Sequence, residues 1–169
     1  MISYEGLRRN RRQFLSLTGM EVEVFMALHE VYARQWQTYI AQYTVAGEER
    51  TRAHRPRKDG VLERTEDQLL FVLHYLKSND IQEHHAASYG MHQSQCNTWL
   101  HLLLRLLHQT LAACGHLPER NAQKLKRVLK ELKEVFIDGT ERAIERPLDS
   151  GAQRSHYSGK KKATRSKTT

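Results

Sequence analysis

At 169 residues the chain is long enough for one moderate domain, or a small domain with appendages, and can bury a core without staples. Two cysteines, Cys96 and Cys114, make neither a disulfide framework nor a paired-cysteine metal site, and no apolar run reaches membrane-spanning length. Secreted disulfide scaffolds and membrane spans are thereby set aside in favour of a soluble, cytoplasmic chain. The net charge of +8 invites a polyanionic partner, yet Lys160, Lys161, Lys162, Arg165 and Lys167 alone supply five of those charges.

Residues 1–46 read as an N-terminal helical segment. Arg8, Arg9, Arg11 and Arg12 form a basic cluster against Phe14, Leu15 and Leu17, and Thr18 or Gly19 is expected to open a helix. From Glu21 to about Tyr43, Val24, Phe25, Leu28, Val31, Tyr32, Trp36, Tyr39 and Ile40 recur at helical spacing. That stripe predicts a packing helix, its aromatics serving a core or partner surface more readily than base stacking. Residues 47–64 carry Gly47, Pro56 and Gly60 with almost no apolar content, which predicts a mobile linker. Its Arg50, Arg52, Arg55, Arg57, Lys58 and Arg64 are suited to neutralise phosphates, or make an ordinary solvated linker.

Residues 65–117 hold the pattern around which the chain is organised. Thr65 with Gln68 has the spacing of a capping box, and Glu66 and Asp67 suit the helix dipole. Leu69, Leu70, Leu73 and Leu76 then line an inner face. Ser78, Asn79 and Asp80 break that helix, and Asp80 with Glu83 is expected to cap a short second one, Ile81 to about Ser88. Ala86, Gly90, Cys96 and Trp99 have the spacing of a helix-turn-helix. Small Ala86 permits a close crossing, Gly90 can take the positive φ of the turn, and Cys96 and Trp99 face inward.

The third helix should run from about Gln93 through Leu107, with Ala113 as the alternative end. With Cys96, Trp99, Leu100 and Leu103 inward, its outward residues are Gln93, Ser94, Asn97, Thr98 and His101. Gln and Asn amides can pair with adenine N6 and N7, and Thr can offer a methyl to thymine, although amides also serve merely to solvate an exposed face. From Asp67 to Leu107, Lys77 and Arg105 stand against Asp67, Asp80 and Glu83, so phosphate contacts must come from the arm ahead, chiefly Arg55, Arg57 and Lys58. His84, His85, His92, His101 and His108 cluster near Cys96, but adjacent and oppositely facing residues do not converge as a zinc site requires. The leucines from Leu100 to Leu111 occupy more than one face, predicting burial against both the motif and either the N-terminal helix or a second subunit.

After Pro118, a connector helix (118–133) places Leu125, Val128, Leu129 and Leu132 inward and Lys124, Lys126, Arg127, Lys130 and Lys133 outward. Val135, Phe136 and Ile137 read as a short buried strand ending in Asp138 and Gly139, a plain turn pair or a carboxylate placed for a metal.

The segments TGMEVEVF, TEDQLLFVLHYLK, GMHQSQCNTWLHLL, LPER, FIDGTERAIERP and YSGKKK together resemble bacterial insertion-sequence transposases. These are DDE-type enzymes with an N-terminal helix-turn-helix. The resemblance covers nearly all of residues 1 to 162 and is strongest at Ile137 to Pro147. It implies a mainly α chain, with a helix-turn-helix and N-terminal packing helix followed by an incomplete α/β, RNase H-like fragment at 134–162. It also implies double-stranded DNA of the element's terminal repeats as partner, and Mg2+ for a full-length enzyme. Asp138 matches the first of three acidic ligands that hold two metals for strand cleavage and transfer. Two-metal chemistry needs all its carboxylates together, so the chain alone is expected to be no enzyme. His84 and His85 stand where the family usually has apolar residues, and His92 where a capping Ser is customary. Residues 134–169 are expected to be poorly ordered, because a lone strand leaves its edges unpaired.

Codons for Lys160 to Lys162 can form an unbroken adenine run on which ribosomes slip. A back-translation of Ala163 to Thr169 shifted by one base spells His-Thr-Leu-Lys-Asn-Asn, similar to the family just after its GKKK. Residues 163–169 then read as an out-of-frame tail, through programmed slipping or gene decay, against a native polar tail. Two function classes follow. One is a DNA-binding transposase fragment, acting alone as an end-binding competitor or repressor or joined to the missing catalytic part, with a second copy or a full-length transposase as candidate protein partner. The other is a non-catalytic helical protein-interaction module.

Overall fold

A computed structural model describes residues 1–55, 60–118, 120–131, 140–143, 148–158 and 163–168. The chain is mainly helical and divides into two compact units, Met1–Pro118 and Glu119–Thr169. The first unit begins with α1 (Tyr4–Leu7), α2 (Arg11–Thr18) and α3 (Val22–Gln42), and continues with α4 (Thr65–Ser78), α5 (Gln82–Ser88) and α6 (Gln93–Ala113). No helix among the described residues is long and apolar enough to cross a membrane.

The centre of the first unit is α4. Every residue from Gln68 to His74 is buried, because α2 and α3 cover one side while α6 covers another. Phe14, Phe25, Tyr32, Trp36 and Ile40 bring the N-terminal helices into the same core as Leu69, Leu70, Leu103 and Leu106. Burying such side chains is worth about 1.5–3 kcal/mol each, so segments 1–46 and 65–117 share their main source of stability. The two-sided leucine helix α6 packs on α3 as well as on α4 and α5. The N-terminal helix therefore supplies its second cover.

Several local expectations change. Gly19 does not open a helix; it closes α2 with φ +76, its N–H donating to the Leu15 carbonyl. The capping box at Thr65 does not form: Arg64 holds the N-cap position, Thr65 Oγ1 meets His29 Nε2 at 2.8 Å, and Gln68 turns into the core. There its Nε2 donates to the Leu62 carbonyl and its Oε1 accepts from Tyr32 Oη. Asp67 is drawn away from α4's own end to accept the Tyr4 N–H at 2.7 Å, fastening α1. Ile81, not Asp80, stands at the N-cap of α5, without a side-chain cap. Leu76 is exposed because α4 loses its cover in its last turn.

Residues 47–64, expected to be a mobile linker, have local order at their start. Gly47 turns the chain at φ +91, Tyr43 pairs with Glu49, and Arg50 Nε donates to the Tyr43 carbonyl at 2.8 Å. Leu62, the apolar residue that the composition argument passed over, is buried beneath Gln68.

The second unit contains α7 (Ala122–Glu131), β1 (Thr140–Ala143), α8 (Ser150–His156), β2 (Tyr157–Ser158) and β3 (Ala163–Thr168). Asn121 caps α7, its side chain accepting from the Gln123 and Lys124 N–H groups. Leu125, Val128 and Leu129 on α7 are exposed, contrary to their expected inward placement. Periodicity shows that a helix has an apolar face but not that anything covers it. The strands form an antiparallel sheet in the order β1-β3-β2, with Thr140 opposite Thr168 and Tyr157 opposite Thr164. Residues 163–168, read as an added tail, thus supply the middle strand. The strand expected at Val135–Ile137 lies outside the described residues.

Candidate nucleic-acid interface

Three helices and one tight turn build the candidate surface. Ala86 is buried where α5 crosses its neighbours, and its carbonyl accepts from the Tyr89 and Met91 N–H groups as the chain reverses. Gly90 makes that reversal at φ +67, a left-handed conformation that costs a side-chain-bearing residue about 1–2 kcal/mol. His92 then occupies the N-cap of α6, and Gln95 Oε1 accepts the His92 N–H at 3.2 Å. Cys96 is wholly buried, and burial raises its thiol above the ordinary range. Trp99 stacks on Trp36 with ring centroids 6.0 Å apart, tying the helix to α3.

Anchoring the apolar side in this way leaves the polar side of α6's first two turns outward. Gln93, Ser94, Thr98 and His101 are exposed and Asn97 is half-buried. Thr98 Oγ1 donates to the Ser94 carbonyl at 3.1 Å, so its hydroxyl is engaged within the helix. Gln93 Nε2 donates to Gln82 Oε1 at 3.0 Å, and Gln82 Nε2 donates to Asn97 Oδ1 at 3.2 Å. Gln82, which sequence reasoning passed over, lies in the first turn of α5. Its only sequence signal is its place: the motif brings the start of the second helix against the start of the third.

The arm ahead of α4 reaches the same region. A cleft of about 910 Å3 is lined by Arg50, Arg55 and Arg64 from that arm together with Gln95 and Trp99 from α6. Arg55 is exposed, whereas Arg64 lies near Glu5 and Glu66. Arg57 and Lys58 lie outside the described residues. Arg105, farther along α6, sits over the Tyr39 ring at 5.4 Å and donates to Tyr39 Oη. Positive charge is therefore carried beside the polar face more than on it, a division suited to phosphate positioning by one element and base reading by another.

The histidines around the motif differ in exposure. His85 is fully buried, with Nε2 3.1 Å from the Phe71 carbonyl, whereas His84, His92, His101 and His108 are exposed. Among the described residues no three His, Cys, Asp or Glu side chains are placed to hold an ion. Asp138 lies outside the described residues.

The fold and this surface define a helix-turn-helix, with α6 in the position of the recognition helix. Residues 61–113 match the family described as the helix-turn-helix of DDE superfamily endonuclease, a stretch that takes in α4, α5 and α6. This segment is similar to the DNA-binding part of transposase-like proteins. No curated protein and no solved structure matches the chain.

Proposed function

We propose that the chain is the DNA-binding part of an insertion-sequence transposase and that it recognises the element's terminal repeats through α6. The supporting observation is the polar face of Gln93, Ser94, Asn97, Thr98 and His101, held outward on a helix whose opposite face is buried, inside a segment matched to a transposase-type helix-turn-helix. Arg55, with Arg57 and Lys58 of the same arm, holds phosphates in this reading. The cytoplasm is its place of action, and a second copy or a full-length transposase is its protein partner.

Fluorescence anisotropy with a duplex carrying terminal repeats, against a shuffled duplex, tests the reading. Asn97→Ala should cost about 1–3 kcal/mol on the repeat duplex and little on the shuffled one. Arg55→Ala should weaken both and lower the salt slope by about one. Equal affinity of the native chain for both duplexes defeats the proposal. The exposed leucines of α7 favour a second reading, a helical protein-interaction module; absent DNA binding together with self-association lost in Leu125→Lys supports it.

The resemblance assigns Asp138 alone of the three acidic ligands, so these residues by themselves are proposed to bind DNA ends without cutting them. Magnesium belongs to the chemistry of a complete family enzyme. Purified protein with magnesium should leave end-bearing duplex intact. Cutting that Asp138→Asn abolishes overturns that part of the proposal.

A further inference from the structure

We propose that Gln82 is a positioning residue that sets which atoms Gln93 and Asn97 present to base edges, an inference that rests on the DNA-binding reading above. An unrestrained side-chain amide can turn over and exchange its donor and acceptor, and so distinguishes poorly between a base edge that donates and one that accepts. Here the two exposed amides of α6 are joined through a third on α5. Gln93 Nε2 donates to Gln82 Oε1 at 3.0 Å, and Gln82 Nε2 donates to Asn97 Oδ1 at 3.2 Å. Turning over any one amide alone would set donor against donor or acceptor against acceptor. The three orientations are therefore linked.

Only a reversal of all three together would keep both bonds; in the direction found here, different atoms are left at the two ends. Gln93 Oε1 makes no hydrogen bond among the described residues, and neither does Asn97 Nδ2. Gln93 thus offers a free acceptor and Asn97 a free donor, one helical turn apart or about 6 Å along the axis. In the major groove adenine and cytosine present amino donors, whereas guanine and thymine present no donor there. Guanine, thymine and adenine present acceptors, whereas cytosine presents none. The free atoms therefore bias the Gln93 position toward adenine and cytosine and the Asn97 position toward guanine, thymine and adenine. The second N–H of Gln93 Nε2 and the second lone pair of Asn97 Oδ1 make each a preference and not a strict exclusion. Gln82 need touch no base to impose both preferences.

Selection from random duplexes by the full chain, followed by single-base substitution of the selected site, tests this. Gln93→Ala and Asn97→Ala identify the base position that each residue reads. Gln82→Ala should then lower discrimination at both positions, each by roughly three- to tenfold, the worth of one hydrogen bond, while affinity for shuffled DNA stays unchanged. A general loss of folding would weaken all binding, and circular dichroism with thermal denaturation reports it separately. Gln82→Glu keeps the shape but is acceptor-only at neutral pH. It can still receive Gln93 Nε2, but Asn97 must turn Nδ2 toward it and expose Oδ1. The Gln93 preference should persist, and the Asn97 preference should shift toward adenine or cytosine. The comparison is made within one variant, so the added negative charge cancels. If the native chain selects a sequence while Gln82→Ala keeps full discrimination at both positions, or Gln82→Glu keeps the native Asn97 preference, the assignment to Gln82 is overturned and the DNA-binding reading survives. If the native chain selects no sequence, both fall.

Discussion

His85 sits where α5 presses on α4, and its imidazole has a partner for only one of its two nitrogens. Nε2 meets the Phe71 carbonyl at 3.1 Å, while Nδ1 is buried without a hydrogen bond. The ring packs among Phe71, His74, Tyr75 and Tyr89, with the His74 centroid 5.1 Å away. Burial, reinforced by that neighbouring histidine, pushes His85 down to about 4 despite the Phe71 carbonyl and Asp80. An unfolded histidine titrates near 6.5, so the folded state holds the neutral form. The unfolded chain then binds more protons between about pH 6.5 and 4. Stability should be full above that window and fall as pH drops through it, with a limiting slope of about 1.4 kcal/mol per pH unit for one proton. His74 and His29, both lowered chiefly by burial, act in the same direction. Urea denaturation at pH 7.5, 6 and 5 should show His85→Leu losing less stability on acidification than the native chain; parallel losses would exclude His85 as the titrating group. In the sequence His84 and His85 were indistinguishable as a pair of histidines. Only packing makes one an exposed side chain and the other part of the core.

At the level of elements, helical periodicity located α3, α4 and α6 well, and Gly90 was legible because a tight turn needs a residue at ease with positive φ. Gly90→Ala should therefore destabilise the first unit by about 1–2 kcal/mol, and Gly90→Asn by less, since Asn enters that conformation more readily. Thermal denaturation would show the order. Caps were read less well, for a physical reason. A capping box satisfies a helix start that has no other neighbours, whereas the start of α4 lies against α3 and the Leu62 segment. Thr65 and Gln68 consequently take tertiary partners. Tyr32 is raised by burial, and its hydroxyl donates to Gln68 Oε1. Gln68→Ala would leave both the Tyr32 hydroxyl and the Leu62 carbonyl without that amide, at a cost of about 1–3 kcal/mol per unsatisfied group. A loss above 1 kcal/mol in urea unfolding is expected; a neutral Gln68→Ala would deny these bonds a stabilising part. The exposed face of α6 followed from which residues must be inside. Gln82 escaped because its role depends on a partner helix, not on its own periodicity.

For the whole molecule, sequence patterning revealed the module but not how far its core extends. Each helix showed an apolar face, yet the continuous burial of α4 from Gln68 to His74 depends on α2, α3 and α6 closing around it. The short strands of the second unit lacked a comparable alternating pattern; β2 has only two residues, and β3 is the polar run ATRSKT. Pairing defines that sheet where hydropathy could not. The extent of the first core yields a direct test. The matched segment 61–113 contains α4, α5 and α6 but lacks Phe14, Phe25, Tyr32, Trp36 and Ile40. Removing these side chains would expose the covered sides of α4 and α6, and each lost burial is worth about 1.5–3 kcal/mol. Their sum, about 7.5–15 kcal/mol, is as large as the whole margin of a small domain, whose net stability is only about 5–15 kcal/mol. Residues 61–113 should therefore show no cooperative thermal transition, whereas residues 1–118 should unfold in a single one by circular dichroism and calorimetry. Cooperative folding of 61–113 alone, at a midpoint equal to that of 1–118, would show that α1, α2 and α3 are accessories to this core.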